Sequence, residues 1–102
     1  MANNIRPLVR SELSTNDTAV LYTVPVATTA VITNILVSNV TGTAATFTLY
    51  LNELEAYKNV SVAANSTLNL DLKQALLPTQ TIQAGASANT TLNIHISGVE
   101  IV

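Results

Sequence analysis

The sequence predicts an all-β fold, a single antiparallel β-sandwich of about eight strands, jelly-roll or immunoglobulin-like, with an extended N-terminal arm. Three observations lead there. Apolar and polar residues alternate with period two in several segments, as half-buried strands require. Turn-forming clusters interrupt these segments at intervals of about ten residues, the rhythm of a meander or Greek key. A chain of 102 residues that is 48% hydrophobic and only 10% charged has apolar surface for one core, and its size fits one domain.

In chain order, the first 14 residues, MANNIRPLVRSELS, read as an arm placed to reach a neighbour. The sandwich is expected over residues 15–102. In the arm, Ile5, Leu8, Val9 and Leu13 are placed to anchor, and Arg6 and Arg10 to meet acidic groups. Pro7 and Pro25 belong on edges or at strand ends, because proline donates nothing to a central ladder. Residues 30–40, AVITNILVSNV, are apolar on both sides except at Thr33, Asn34, Ser38 and Asn39, which predicts a central strand.

In ATFTLYL, Ala45, Phe47, Leu49 and Leu51 face one way and Thr46, Thr48 and Tyr50 the other. LNELEAYKN, residues 51–59, holds good helix formers but is short for a helix on its own. It reads as a long loop with room for one helical turn, and LKQALL as a second turn before Pro78. Leu68, Leu70 and Leu72 oppose Thr67, Asn69 and Asp71. In the last segment Leu92, Ile94 and Ile96 oppose Thr91, Asn93 and His95, after which the apolar phase passes to Val99 and Ile101. A bulge at Gly98 accounts for that shift.

The composition excludes several kinds of chemistry. Four Lys plus Arg against six Asp plus Glu leave a net charge of -2, too little positive charge to neutralise many phosphates, so no nucleic-acid partner is expected. With no cysteine, neither disulfides nor thiolate metal sites exist. No apolar run reaches the length of a membrane span, and no signal-peptide pattern opens the chain, so neither a membrane partner nor Sec export is expected. His95 is the single histidine. It has no second imidazole with which to build a metal site, and no nucleophile elbow accompanies it. Glu53, Glu55 and Asp71 lack a calcium-loop pattern and read as solvated charges. Three scattered glycines form no phosphate-binding loop. Catalytic, metal-ligating and cofactor-binding residues are therefore assigned to none, and the chain is expected to be no enzyme.

The polar faces of the strands are unusual in kind. Thr, Asn and Ser fill 33 of 102 positions, where soluble strands usually show Lys and Glu. Hydroxyls and amides cost less to desolvate than full charges, and interface cores are depleted of Lys, Glu and Asp. Such faces suit being covered. The candidate subunit-contact residues are Thr46, Thr48 and Tyr50 together with Asn93 and His95, and a homo-oligomer, dimer or trimer, is expected.

The order VLYTVPVATTAVITNILVSNVTGTAATFTLYL, then VSVAANSTLNLDL, then QTIQAGASANTTLNIHISGVEI resembles a group of small β-sandwich virion proteins of tailed bacteriophages. A strand ending in Val-Pro, a Thr-rich bend, an Ala-Asn-x-Thr-Leu turn and a terminal Ser-Gly-Val-Glu-Ile carry the resemblance over residues 20–101. The chain departs from the pattern at Pro78-Thr79, where glycine commonly precedes the Gln-Thr-Ile strand. The resemblance implies a capsid cement or decoration protein, made in the host cytoplasm and located on the virion. Its implied partner is the phage major capsid protein, bridged at the outer surface of the head. A neck, tail or fibre-attachment subunit is the alternative, followed by a non-viral adhesin or carbohydrate-binding module.

Overall fold

The structure, a computed structural model, describes residues 3–16, 18–88 and 91–102. Eight strands follow one another: β1 (Asn3–Glu12), β2 (Val20–Thr23), β3 (Thr29–Asn39), β4 (Ala45–Leu51), β5 (Leu54–Val62), β6 (Thr67–Leu76), β7 (Thr81–Ala86) and β8 (Leu92–Ile101). They form two four-stranded antiparallel sheets, ordered β1-β8-β3-β6 and β2-β7-β4-β5.

The pairing has a simple logic. β1 pairs with β8, β2 with β7, β3 with β6 and β4 with β5, the nesting of one long folded hairpin. Successive pairs fall alternately into the two sheets, and β3·β8 and β4·β7 join them side by side. That is a jelly roll, which decides between the two expected sandwich types.

Side chains facing inward from both sheets make one core. Ile32, Ile35, Val37, Leu49, Ile82, Leu92, Ile94 and Ile96 are sealed from solvent, and Phe47 packs among them. The Phe47 ring meets the half-buried Tyr57 with centroids 6.3 Å apart and planes tilted by 48°. A Cα radius of gyration of 13.4 Å fits the roughly 13 Å of a compact domain this long.

Tight turns explain much of the path. Asn52 and Glu53 both adopt left-handed backbone, φ 51° and 66°, which makes the two-residue hairpin joining β4 to β5. Residues 54–62 are accordingly a strand, with Leu51 opposite Leu54, and not the expected loop with a helical turn. Helix propensity there amounts to tenths of a kcal/mol per residue, roughly, and pairing with β4 outweighs it. The LKQALL segment likewise carries no helical turn: its first five residues complete β6.

Pro25 opens a turn closed by the Thr28 N–H donating to the Pro25 carbonyl at 3.2 Å, with Ala27 at φ 62°. Leu77 opens a similar one, in which Gln80 N–H donates to Leu77 O at 3.1 Å, Pro78 is second and Thr79 sits third at φ 72°. Positive φ at the third position marks both as type II turns, and in the second of them Pro78 also holds the second position that such turns favour for proline. A β-branched residue is poorly suited to that third position. Thr79→Gly should therefore raise stability by about 1 kcal/mol, the relief of left-handed strain exceeding the added entropy of the unfolded chain. An unchanged or lowered urea midpoint would count against this account of the turn.

Two further expectations are corrected. Residues 3–12 are not an arm: they are β1, paired with β8 from Asn3↔Ile101 to Glu12↔Asn93. The alternation is hidden because the register shifts between Pro7 and Val9, which leaves Leu8 as the extra residue of a bulge. Leu8 and Val9 are consequently both buried, 9% and 5% exposed. The bulge expected at Gly98 lies instead on the flanking strands, at Leu8 of β1 and Thr33 of β3. β8 itself keeps its phase throughout, turning Gly98 and Glu100 inward and leaving Val99 and Ile101 half-buried on the outer side.

Candidate interaction site

The outer face of the β1-β8-β3-β6 sheet can be read across the strands. Arg10 stands opposite His95, His95 opposite Leu36, and Leu36 opposite Asn69. The next row is Glu12, Asn93, Ser38 and Thr67. Charge is confined to the edge strands, while the two central strands present amides, hydroxyls, an imidazole and aliphatic groups.

Many of these polar groups already bond to one another. Asn34 donates through Nδ2 to Asn69 Oδ1 at 2.6 Å and to Asp71 Oδ1 at 3.0 Å. Thr33 Oγ1 donates to the Ser97 carbonyl at 3.3 Å. A face knitted in this way surrenders fewer water hydrogen bonds when covered than a row of free charges would.

The opposite sheet presents Thr46, Thr48 and Tyr50 on its own outer face, alternating with buried Phe47 and Leu49. Thr48 is only 5% exposed, because β5 folds over it. Asn59, at φ 49°, turns its N–H to Thr48 Oγ1 at 3.1 Å. Thr46, Thr48, Asn59, Gly85, Ala86 and Ser87 line a recess of about 70 Å³ there.

The expected contact residues are thus divided between two opposite faces, Thr46, Thr48 and Tyr50 on one and Asn93 and His95 on the other. Of the residues assigned to the arm, Leu8, Val9 and Leu13 belong to the core, whereas Ile5, Arg6 and Arg10 are exposed. Two groups singled out separately do converge: Arg10 and His95 are cross-strand partners, and Ile5, 85% exposed, stands opposite Val99.

Sequence reasoning missed one polar site altogether. Glu100 turns inward near the end of β8 and is 7% exposed. A buried carboxylate needs partners. It accepts a short hydrogen bond from the Tyr22 hydroxyl on β2, and Arg6 Nη1 on β1 donates to its other oxygen at 3.1 Å. One carboxylate therefore links three strands and both sheets at the flank where β1 and β2 lie side by side. The signal available in the sequence was Glu100 at an inward position of the β8 alternation, but its partners lie 78 and 94 residues away.

Burial, and then the Glu100 carboxylate accepting its bond, pushes the Tyr22 phenol well above its ordinary value of 10.0, against a lowering influence from Arg6. The phenol therefore stays protonated and donating. Because its folded value is raised, its contribution is fully present below pH 10.0 and is lost as pH climbs from there through the folded value. Tyr22→Phe should cost about 1.5–3 kcal/mol at neutral pH, the worth of a hydrogen bond to a charged group. The gap between wild type and variant should narrow in alkaline urea titrations, and a gap that widens with pH would contradict the assignment.

Among the described residues, no three of His, Cys, Asp and Glu come together in a cluster able to hold a metal ion. Glu53 and Glu55 lie at the β4–β5 hairpin, and Asp71 lies on the edge strand of the other sheet. The fold and the site define a charge-poor jelly-roll domain whose central strands present mainly amides, hydroxyls and aliphatic groups outward, with charge on the edge strands. The chain matches no protein-family model and no curated protein.

Proposed function

We propose that this protein is a structural component of a bacteriophage virion, a cement or decoration protein that binds the outer surface of the head and bridges neighbouring major capsid proteins. The observation that carries the reading is the composition of the central strands' outer faces, where Thr, Ser, Asn and Gln stand in place of Lys and Glu and charge is left to the edge strands. Faces of this kind are inexpensive to desolvate, and a protein held on a shell must bury some of its surface. The resemblance of residues 20–101 to small phage sandwich proteins supports the same role.

A cement protein acts by mass action. It binds the assembled shell and not its dissociated subunits, so each bound copy favours the shell. In this role the outer face of the β1-β8-β3-β6 sheet is the capsid-contact face, because Ile5, Arg10, Asn93 and His95 all lie on it. Because residues 3–12 are a strand of the sheet, contact is made by the surface of a folded sheet and not by a free arm.

Copy number in purified particles, measured by quantitative mass spectrometry against the major capsid protein, tests the proposal. Hundreds of copies are expected of a protein distributed across the head. A dozen or fewer would move it to the neck or tail, and absence from particles would favour a free adhesin or carbohydrate-binding module.

A further inference from the structure

We infer that the β6 edge is a self-association site, where a second copy of the chain pairs antiparallel about a two-fold axis through Leu72. This inference concerns which surface joins two copies, and it stands whether or not the protein belongs to a virion.

The four sheet edges differ in how they discourage strand addition. β1 contains Pro7, which has no donor, and the Leu8 bulge, and it carries Arg6 and Arg10, which would repel their own counterparts. β2 has four residues and slips register against β7. β5 slips register at two places against β4 and holds Asn59 at φ 49°. Each has a device against pairing.

β6 has the fewest of these: its register against β3 shifts once, where Leu72 and Lys73 stand against Thr33 alone, while its own alternation keeps phase from Leu68, Leu70 and Leu72 to the buried Leu76. It runs ten residues, Thr67–Leu76, without proline, glycine or positive φ. An open strand edge exposes unpaired N–H and C=O groups, and only another extended strand meets that whole pattern.

Charge selects both the partner and the register. Asp71 and Lys73 are exposed, and neither has an ion-pair partner among the described residues, where Arg6–Glu100 is the one salt bridge. In a two-fold pair that keeps each sheet face continuous, opposing residues have the same parity. Centring the axis on Leu72 sets Asp71 against Lys73 of the second copy, and Lys73 against Asp71. Centring it on Asp71 or Lys73 would oppose like charges. The same register places Leu68 against Leu76 of the second copy, and the half-buried Leu68, Leu70 and Leu72 gain cover. The depression of about 440 Å³ bordered by Thr33, Asp71, Leu72 and Lys73 lies on this same margin and would be covered as well.

Sedimentation of the full chain from micromolar to millimolar concentration tests the inference. A reversible dimer is expected. Lys73→Glu or Asp71→Lys alone, each placing like charges opposite one another twice per dimer, should weaken it about tenfold or more. The double exchange Asp71→Lys with Lys73→Asp should restore it. Lys73 makes no hydrogen bond to a described side chain, so Lys73→Glu keeps the test meaningful should substitution of Asp71 disturb Asn34. Hydrogen exchange should show the outward β6 amides slowing as concentration rises. A monomer at every concentration, a dimer indifferent to both reversals, or concentration-dependent protection at another edge would overturn the inference.

Discussion

Removal of residues 2–13 should abolish folding, not merely trim a tail. The deletion takes away β1 and with it the inward side chains of Leu8, Val9 and Leu13, which are 9%, 5% and 1% exposed. Burying three such aliphatic side chains is worth roughly 5–9 kcal/mol, comparable to the roughly 5–15 kcal/mol by which a whole domain is stable. The loss is compounded at β8, which bonds to β1 along Asn3–Glu12 and would become an open edge beside the core. Glu100 would also lose Arg6 as a donor. The expected product is insoluble or molten, with a collapsed NMR spectrum. A well-dispersed spectrum from the truncated chain would show that β1 is dispensable and would return these residues to the part of a detachable arm.

Gly98→Ala should also destabilise the fold, through a single carbon atom. A Cβ built at Gly98 would lie 2.2 Å from the Val31 carbonyl oxygen and 3.0 Å from Leu8 Cδ1. The Leu8 methyl has rotamers to escape into, but the Val31 oxygen belongs to the backbone of a central strand. Overpacking of this kind costs about 1–3 kcal/mol, and more when backbone must move. Replacing glycine would recover only about 0.4–1 kcal/mol from the unfolded chain. The clash wins, and the net loss should reach about 2 kcal/mol, read as a fall in the urea midpoint. Gly98 is required because, between the bulges at Leu8 and Thr33 on its two neighbours, the Val31 backbone of β3 and the Leu8 side chain of β1 fill the space a Cβ would need. Gly98→Ser should be at least as harmful, and a midpoint within error of wild type for either variant would refute the close approach.

Both predictions concern places where local reading was incomplete, and the reasons are physical. Alternation made β4, the first half of β6 and most of β8 legible, because those strands bury one face and expose the other. The central place of β3 was also legible, as its segment is apolar on both sides. β1 was obscured because a bulge puts consecutive residues, Leu8 and Val9, into the core, which no period-two template matches. β5 was obscured because it is an edge strand with mostly exposed side chains, so helix-forming residues cost it little.

The candidate site was legible in kind but not in arrangement. The absence of charged strand faces could be counted directly. That Thr46, Thr48 and Tyr50 occupy one outer face, and Asn93 and His95 the other, depends on which sheet each strand joins. Arg10 beside His95 is a matter of register between strands at opposite ends of the chain. Asn39 illustrates the same limit. Read as a polar interruption of a central strand, it is 2% exposed and donates through Nδ2 to Thr43 O at 2.8 Å and Val62 O at 3.2 Å, tying down the turn after β3.

By itself, then, the sequence determined that the chain is all-β, that it forms one sandwich core and that its outer surfaces are poor in charge. These properties follow from composition and from the two-residue repeat, both of which are local. The tertiary structure alone decided the jelly-roll nesting, the incorporation of β1, the placing of bulges beside Gly98 and the binding of Glu100 to Tyr22 and Arg6. Each of these joins residues far apart in the chain, and backbone hydrogen bonding specifies no partner: any strand edge can pair with any other until side-chain packing and buried charge select one register.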